Sequence, residues 1–438
     1  MQNWKQTMQT SLRGIANRAK RDRKARFGNL SNLLNEQNLR WCFHQLRKNA
    51  ATGVDGVTFK TYEQNLDHNL RDLVERLKRG RYKAKLVRRK HIPKGGGKTR
   101  PLGIPALEDK LLQLACAKIL GAIYEEDFLD CSWGYRPGRG AREAGRVLAT
   151  ELHSGGKYRW VVEADIQGFF NHLDHDWMER MLRERVEDRP FIGLIRKWMK
   201  AGVLETDGRI VHPASGTPQG GIISPVLANI YLHYVLDLWF KKTVKANGRG
   251  DAYLIRYADD FVCAFQHESD AANFMRELPG RLGKFGLQVA EDKTRRVHFI
   301  RFDGKPPEAF DFLGFEFRWV RRRSGKMGVR RRTSPEKLRK SVEHLKEWFR
   351  EVRHWPTRSI VEALNRKLRG YWNYYGVRGN MDSLSKLHWQ VRGLLFKWLN
   401  RRSQRRSYTW DGFEAMCEYL QLEKPRIVEM ESQPMLFT

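Results

Sequence analysis

The most constraining feature of the sequence is a pair of adjacent acids between two apolar runs. The segment AYLIRYADDFVCAF covers residues 252–265, with Asp259 and Asp260 at its centre. Apolar, β-branched and aromatic runs favour strands, and a hairpin between them would place both carboxylates at a sheet edge. Adjacent carboxylates repel each other, and a hard divalent ion such as Mg²⁺ would offset that repulsion. The segment therefore predicts a metal-binding hairpin; its alternative is a plain turn, in which Asp is also favoured.

A third acid lies at the end of another apolar run. In VVEADIQGFF, Asp165 follows a predicted strand that begins near Tyr158. If the two strands are neighbours, their acids converge. Carboxylates that share two metal ions roughly 4 Å apart can activate a hydroxyl and stabilise a leaving pyrophosphate. The pattern indicates phosphoryl transfer by acids and metal ions.

The charge of the chain indicates its partner. Its 438 residues include 82 Lys and Arg against 50 Asp and Glu, a formal net charge of +32. Such an excess predicts a polyanionic partner, with nucleic acid favoured over an anionic membrane surface. No apolar run approaches the roughly 20 residues that span a bilayer. The five cysteines form no CxxC pair and the first residues lack a secretory signal, so we expect a cytosolic protein.

The periodicity of the chain changes several times. Residues 1–27 are basic and predict a mobile or helical arm, or a solvated tail. A hairpin with a basic, glycine-rich tip is predicted around residues 82–105. A basic linker is predicted at residues 321–332. The remaining predictions are helices at 106–124, 141–153 and 177–201, and a strand at 158–166.

Seven ordered motifs together resemble the group II intron reverse transcriptases. They are GVDGVTF at 53–59, KTRPLGIP at 98–105, GYRPGRGA at 134–141, ADIQGFF at 164–170, GTPQGGIISPVLANI at 216–230, RYADD at 256–260 and FLGF at 312–315. The resemblance implies an α/β (α+β) fold shaped as a right-hand polymerase, with fingers, an antiparallel-sheet palm and a helical thumb, the maturase domain X. We expect a basic arm and fingers at 1–157, the palm at 158–320, the linker and thumb at 321–400, and a basic, then acidic, C-terminal segment without an endonuclease at 401–438.

The resemblance also assigns residues to the site. It implies that Asp165 and Asp259 bind metal, with Asp260 as a third catalytic carboxylate, and that the cofactor is two Mg²⁺ ions, with Mn²⁺ as a substitute. Phe170 resembles the steric gate against a ribose 2′-hydroxyl; its alternative is a core aromatic. Gln219 would lie against the incoming nucleotide, or serve only the turn.

Further nucleotide contacts are implied in the fingers and palm. Lys94 and Arg100 would hold the triphosphate, as charge-assisted contacts to phosphate require, although Lys94 could be ordinary surface charge. Arg88 would press on the templating base. Lys293, in AEDKT, would lie near phosphate.

The segment LNRKLRGYWNYYGVRGN, residues 364–380, mixes cations with aromatic residues, which suits contact with an RNA backbone and its bases. It resembles the maturase thumb. The alternatives are a helical core for the aromatics and a solvated face for the cations. The predicted RNA-binding residues are Arg366, Lys367, Arg369, Trp372, Tyr374, Tyr375, Arg401, Arg402, Arg405 and Arg406.

The function that the resemblance implies is RNA-directed DNA synthesis with binding of intron RNA for splicing and retromobility. The expected partners are template and intron RNA, a DNA primer or target, and deoxynucleoside triphosphates, in the cytoplasm of a bacterial or archaeal cell, with association with the nucleoid as an alternative. Other hypotheses are a host-recruited enzyme of phage defence, spacer acquisition or DNA repair, and a non-catalytic splicing factor. The sequence does not determine the oligomeric state.

Overall fold

The computed structural model describes residues 3–95, 98–212, 215–217, 220–300, 308–321, 324–402 and 407–429, with the side chains of 3–7, 94, 95 and 98 excepted. Sixteen α-helices lie within these ranges: α1 Asn3–Arg21, α2 Glu36–Phe43, α3 Phe59–Glu63, α4 Leu66–Lys78, α5 Leu107–Tyr124, α6 Ala141–His153, α7 Phe169–His172, α8 His175–Arg183, α9 Arg189–Met199, α10 Ser224–Leu232, α11 Lys245–Asn247, α12 Glu268–Gly283, α13 Pro335–Val352, α14 Thr357–Tyr375, α15 Met381–Leu399 and α16 Trp410–Tyr419.

Eleven strands lie within the described residues: β1 Val87–Gly95, β2 Lys98–Ile104, β3 Trp160–Ala164, β4 Val203–Leu204, β5 Ile210–Val211, β6 Ala252–Tyr257, β7 Asp260–Phe265, β8 Arg295–His298, β9 Phe310–Phe312, β10 Phe315–Arg321 and β11 Met327–Thr333. They form three sheets, in the orders β2-β1-β4-β5, β11-β10-β9 and β6-β7-β3-β8. Strands β1 and β2 pair in antiparallel register, and so do β10 and β11.

The chain divides into two compact units. The first consists of residues 1–139, 164–263 and 269–295. Its centre is α5, in which every residue is buried or half-buried and which is packed by α1, α2 and α10. Leu111, Ala115 and Ile119 of α5 are completely buried. Burial on all faces is typical of the central helix of a core.

The second unit consists of residues 140–163, 264–268 and 296–438. Helix α6 packs on β11, and α15 packs against α13 and α14. A core of buried side chains, among them Phe349, Leu368, Trp372 and Leu395, joins these helices to Phe413 of α16. This unit contains the residues that the sequence assigns to the thumb.

Two sequence-based predictions of secondary structure are wrong. Residues 327–332 of the predicted linker belong to β11. This cationic strand is stabilised because buried Arg331 pairs with Glu429 at 2.7 Å and Arg332 pairs with Glu316 at 2.9 Å. The single helix predicted at 177–201 is two helices, since Asp188 accepts a hydrogen bond from the Phe191 N–H and caps α9.

Among the described residues, no helix is both long enough and apolar enough to span a bilayer. All five cysteines are reduced, and four of them are buried.

Candidate active site

Asp259 and Asp260 lie where the sequence predicts them, at the turn between β6 and β7. Strand β6 ends at Tyr257 and β7 begins at Asp260. Between the strands, Ala258 has a left-handed backbone with φ of 58°. Such a conformation is uncommon for a residue with a Cβ and is typical of functional turns. The turn leaves Asp259 partly buried and Asp260 exposed.

Asp165 lies one residue beyond β3, where the backbone pairs with the segment that follows α12. Its carbonyl accepts a hydrogen bond from the Ala290 N–H at 2.9 Å, and the Gln167 N–H donates to Gln288 at 2.9 Å. Three residues after Ala290, a 3-10 turn ends at Lys293. The ammonium of Lys293 lies 2.5 Å from Oδ2 of Asp165. The pairing therefore brings a predicted phosphate-binding cation onto a predicted metal-binding acid.

The electrostatics show that these groups share one site. Burial raises the pKa of Asp259 above its ordinary value, and the charge of Asp165 raises it further; Arg100 and Lys293 oppose both effects. The hydrogen bond to Asp165 raises the pKa of Lys293, with the charge of Asp260 acting in the same direction. A charged group shifts the pKa of another in this way only from nearby. The structure thus brings together Asp165, Asp259, Asp260, Arg100 and Lys293.

Phe170 lies in α7, five residues after Asp165, and is 8% exposed. Its carbonyl accepts a hydrogen bond from the Thr217 N–H at 2.8 Å, which holds the glycine-rich segment against α7. A Cβ on Gly216 would lie 2.7 Å from that carbonyl oxygen, and one on Gly220 would lie 2.6 Å from the carbonyl oxygen of Gly103 in β2. Glycine is required at both positions because the backbones approach so closely. Gln219 lies outside the described residues.

The cations of the predicted fingers differ in their surroundings. Arg100 is exposed in β2, opposite Ile92. Lys94 belongs to β1, and its side chain is outside the described residues. The guanidinium of Arg88 donates to the carbonyl of Thr52 at 2.5 and 3.1 Å. Arg88 therefore ties β1 to the segment that precedes α3.

Of the aromatic residues in the predicted RNA-binding segment, Trp372 is a core residue and the two tyrosines are half-buried. Trp372 is completely buried in the helical core of the second unit. Tyr374 stacks on Phe315 with ring centroids 5.8 Å apart and donates its hydroxyl to Leu313 at 2.9 Å. Tyr375 packs edge-on against the same ring, with centroids 5.3 Å apart. The burial of Trp372 is a correction to its assignment to RNA, and the two tyrosines are engaged in packing.

The cations of the same segment are exposed. Arg366, Lys367 and Arg369 lie on the solvent face of α14. Lys367 lies 5.1 Å from the ring centroid of Trp348, and Arg369 pairs with Glu423 at 3.0 Å. Arg401 and Arg402 are also exposed; Arg405 and Arg406 lie outside the described residues. The face therefore remains available to a polyanion.

Two residues at the site were not singled out from the sequence. Tyr135 is 55% exposed, with φ of 60°. Partial burial raises the pKa of its hydroxyl, and the charges of Asp259 and Asp260 raise that pKa further. Arg256 is completely buried two residues before Ala258. Both lie within motifs that carry the resemblance, but nothing in the local pattern distinguishes an exposed Tyr or a buried Arg at these positions.

The donor chemistry of the site suits a divalent cation. Its acids are hard oxygen ligands, and the positive charges of Arg100 and Lys293 favour the ionised form of Asp259. In this structure Asp165 pairs with Lys293, and within the described ranges no three acid, histidine or cysteine side chains form a metal-binding cluster. The residues fit a metal ion by charge and ligand type.

Comparison with known proteins identifies two matching families along the chain. Residues 92–317 match the family described as reverse transcriptase (RNA-dependent DNA polymerase), and residues 338–413 match the maturase-specific domain of group II introns. The class of protein is therefore an RNA-directed DNA polymerase. Reverse transcriptases use divalent metal ions, and the two matched regions imply RNA and other nucleic acid as partners.

Individual relatives define the family more narrowly. The chain is 30% identical to the group II intron-encoded protein LtrA of Lactococcus lactis, over 78% of this chain and 69% of that protein. It is 34% identical to protein YkfC of Escherichia coli, over 69% of this chain and 84% of that protein. A solved structure of telomerase from Candida albicans with a fragment of telomeric RNA is 14% identical, with a TM-score of 0.44, and covers 79% of this chain and 67% of that one. The chain belongs to the group II intron-encoded reverse transcriptases.

Proposed function

We propose that the chain extends a DNA primer on an RNA template by two-metal nucleotidyl transfer and also binds intron RNA to assist splicing and retromobility. The observation that supports the polymerase activity most directly is the convergence of Asp165 and Asp259 with Arg100 and Lys293. Acids that bind metal and cations that bind phosphate are the groups that this reaction needs.

The acids of the site have distinct roles in this proposal. Asp165 and Asp259 hold two Mg²⁺ ions, or Mn²⁺ in their place, and Asp260 supplies the third carboxylate. The bound ions would activate the primer 3′-hydroxyl and stabilise the pyrophosphate. The left-handed turn at Ala258 and the backbone pairing of Asp165 with Ala290 hold the acids at fixed positions, which reduces the reorganisation that the reaction requires.

Other residues select and hold the nucleotide. Arg100 and Lys94 bind the triphosphate of a deoxynucleotide through charge-assisted hydrogen bonds, and Lys293 adds a cation nearby. Phe170 excludes a ribose 2′-hydroxyl, and Gln219 lies against the nucleotide. Arg88, whose guanidinium donates to the carbonyl of Thr52, presses on the templating base.

Recognition of RNA is assigned to the exposed cations of the second unit. Arg366, Lys367 and Arg369 share one face of α14. Four further arginines that follow in the sequence, Arg401, Arg402, Arg405 and Arg406, belong to the same proposed set. Cations on one face of a helix suit a phosphate backbone. We infer that they bind the intron RNA in the cytoplasm of a bacterial cell, as the bacterial relatives suggest.

The decisive experiment is extension of a DNA primer on an RNA template with Mg²⁺ and deoxynucleotides. The natural chain is compared with Asp259→Ala and with Asp207→Ala, which removes an exposed acid from the turn between β4 and β5. We expect extension by the natural chain and the Asp207 variant, and none by the Asp259 variant. Tight RNA binding without extension by any of the three would instead identify a non-catalytic splicing factor.

A further inference from the structure

Arg256 is one of the largest completely buried side chains among the described residues. It lies in β6, three residues before Asp259, and pairs with Asp237, which is also completely buried. The contacts to the two carboxylate oxygens are 2.7 Å from Nε and 2.6 Å from Nη2. A buried ion pair costs desolvation energy and is a poor source of stability by itself. Its presence beside the acids of the site therefore needs another explanation.

All five N–H donors of the guanidinium have acceptors, and three of these acceptors lie outside the ion pair. Nη1 donates to the carbonyl of Ala258 at 2.9 Å and to Oδ1 of Asn229 at 3.0 Å. Nη2 donates to Oγ of Ser132 at 2.8 Å. The planar fork of an arginine makes such a set possible, whereas a lysine has three donors and no fixed plane.

The contact with Ala258 is the one that bears on the site. Ala258 has φ of 58°, a conformation that an alanine adopts only when its surroundings stabilise it. Its carbonyl is held by Arg256, and its peptide precedes Asp259 directly. The direction in which the Asp259 carboxylate leaves the turn thus depends on the guanidinium.

The same network holds the segment beneath the turn. The Trp133 N–H donates to the carbonyl of Arg256 at 2.8 Å, and Nδ2 of Asn229 donates to the carbonyl of Gly134 at 2.7 Å. Asp237 ends a π-helical stretch, His233–Asp237, which continues α10, the helix that contains Asn229. π-Helical turns are frequent at functional sites because they redirect side chains. Here the turn places Asp237 on the arginine.

We propose that Arg256 is a positioning residue for the polymerase reaction: held by Asp237, it fixes the left-handed turn at Ala258 and so sets the position of the Asp259 carboxylate. This inference rests on the proposed role of Asp259 in holding metal. It also explains why an ion pair that costs desolvation energy is buried here, since the pair serves to position the Asp259 carboxylate.

The test is Arg256→Lys, which keeps the positive charge and removes the fork. Its matched control is Arg185→Lys, because Arg185 is also a buried arginine, 3% exposed and paired with Asp127 at 3.3 Å. The guanidinium of Arg185 also contacts the N-terminal segment, at Ala19, Arg23 and Phe27. Primer extension is measured across a Mg²⁺ titration, and thermal unfolding is measured in parallel. We expect Arg256→Lys to raise the half-saturating Mg²⁺ concentration about tenfold and to lower kcat, since misplacement by about 1 Å can cost ~100-fold. Arg185→Lys should lower only the unfolding temperature.

The outcomes are distinguishable. If both variants lose thermal stability while their Mg²⁺ dependence equals that of the natural chain, the buried pair is merely structural and the inference is wrong. If Arg256→Lys does not fold, Ser132→Ala removes one acceptor with little change of volume; a smaller shift in the same direction supports the inference, and an unshifted titration overturns it. Extension by Asp259→Ala at the natural rate would contradict the proposed function itself.

Discussion

The ammonium of Lys293 and the carboxylate of Asp165 form an ion pair of 2.5 Å at the proposed metal site. The lysine side chain is 58% exposed and the aspartate side chain 19%, so the ammonium approaches from the solvent side. Lys293 reaches this position because the segment before it pairs with the backbone of Asp165. One carboxylate thus has two potential cationic partners, the lysine and a metal ion.

The first prediction follows from that competition. Lys293→Met should lower the Mg²⁺ concentration that gives half-maximal extension, because the competing cation is removed while the acids remain. The effect should be about threefold to tenfold, as expected for a partly exposed ion pair worth about 1 kcal/mol. Lys284→Met, at an exposed lysine in the same unit, is the control. An unchanged or higher Mg²⁺ requirement would show that Lys293 does not compete for Asp165.

Selection against ribonucleotides gives the second prediction. Phe170→Ala should increase incorporation of ribonucleotides relative to deoxynucleotides at least about tenfold, because the ring that would meet the 2′-hydroxyl is removed. Phe169→Ala is the matched control, since Phe169 is 1% exposed and packs edge-on against Phe170 with centroids 5.3 Å apart. Steady-state incorporation of matched nucleotide pairs measures the ratio. Equal selectivity in the Phe170 variant and the natural chain would leave Phe170 as a core residue only.

Asp109 gives a prediction about pH. This buried acid accepts hydrogen bonds from the Tyr82 hydroxyl and the Lys85 N–H, and burial raises its pKa from 3.8 to about 6. Because the folded pKa exceeds the unfolded one, its contribution to stability is full below about pH 4 and is lost as the pH rises through about 6. The difference of about 2 pH units corresponds to roughly 3 kcal/mol.

Asp109→Asn should remove that contribution, since the amide does not titrate. Urea unfolding at several pH values between about 4 and 7 measures the slope. We expect the free energy of unfolding of the natural chain to fall more steeply with pH than that of the variant. Asp127, whose pKa burial also raises to about 6, is unchanged in both chains, so it contributes equally to the two slopes. Parallel slopes would contradict the assignment to Asp109.

Local patterns predicted the elements on which the site is built. The apolar runs around Asp259 and Asp260 form β6 and β7 with the turn at the predicted position. Helices predicted at 106–124 and 141–153 are confirmed as α5 and α6. The predicted hairpin is confirmed in its two strands, β1 and β2, which pair in antiparallel register. Each of these elements carries its periodicity and its turn residues within a short stretch of chain.

Features that depend on distant partners were not predictable in this way. Strand β11 resembled a linker because its cations indicate solvent, yet buried Arg331 is paired with Glu429, far away in the sequence. Trp372 resembled an RNA-stacking residue because its neighbours are cations, yet its ring faces the helical core. Arg256 is buried because its guanidinium donates hydrogen bonds to Asp237 and Ser132, which are distant in the sequence. The local sequence shows only which residues precede and follow a side chain, whereas the tertiary fold determines whether that side chain is buried and what it contacts.

The division between exposed cations and buried aromatics in α14 gives the fourth prediction. Replacing Arg366, Lys367 and Arg369 by Gln should lower the slope of log affinity for RNA against log salt by about 2, because each phosphate contact contributes about 0.7 to 0.9. Arg426 lies 3.2 Å from Glu423, so removal of Arg369 does not leave that acid without a partner. Trp372→Phe should lower the thermal stability and leave the salt slope unchanged. If the slope of the triple variant equalled that of the natural chain, these three cations would not contact the RNA phosphates.

The last prediction concerns the close contact under the turn at Ala258. A Cβ on Gly134 would lie 2.4 Å from the backbone nitrogen of Ala258 and 3.0 Å from the carbonyl carbon of Tyr257. Both are backbone atoms, so no side-chain rotation relieves the clash and the turn itself must move. The carbonyl of Gly134 is held by Asn229 at 2.7 Å, which prevents the glycine from retreating freely.

Gly134→Ala should therefore displace Asp259 and reduce primer extension by about 100-fold, as a shift of about 1 Å at a reacting group does, at a cost in stability of about 1 to 3 kcal/mol. Gly121→Ala is the matched control: that glycine lies within α5, nothing lies within 4 Å of its added Cβ, and alanine should stabilise the helix by about 0.5 to 1 kcal/mol. Single-turnover extension at saturating nucleotide, with thermal unfolding, separates the two effects. A Gly134 variant that extends primers at the natural rate would show that the turn tolerates movement, and the placement of Asp259 would then have to depend on its own strand alone.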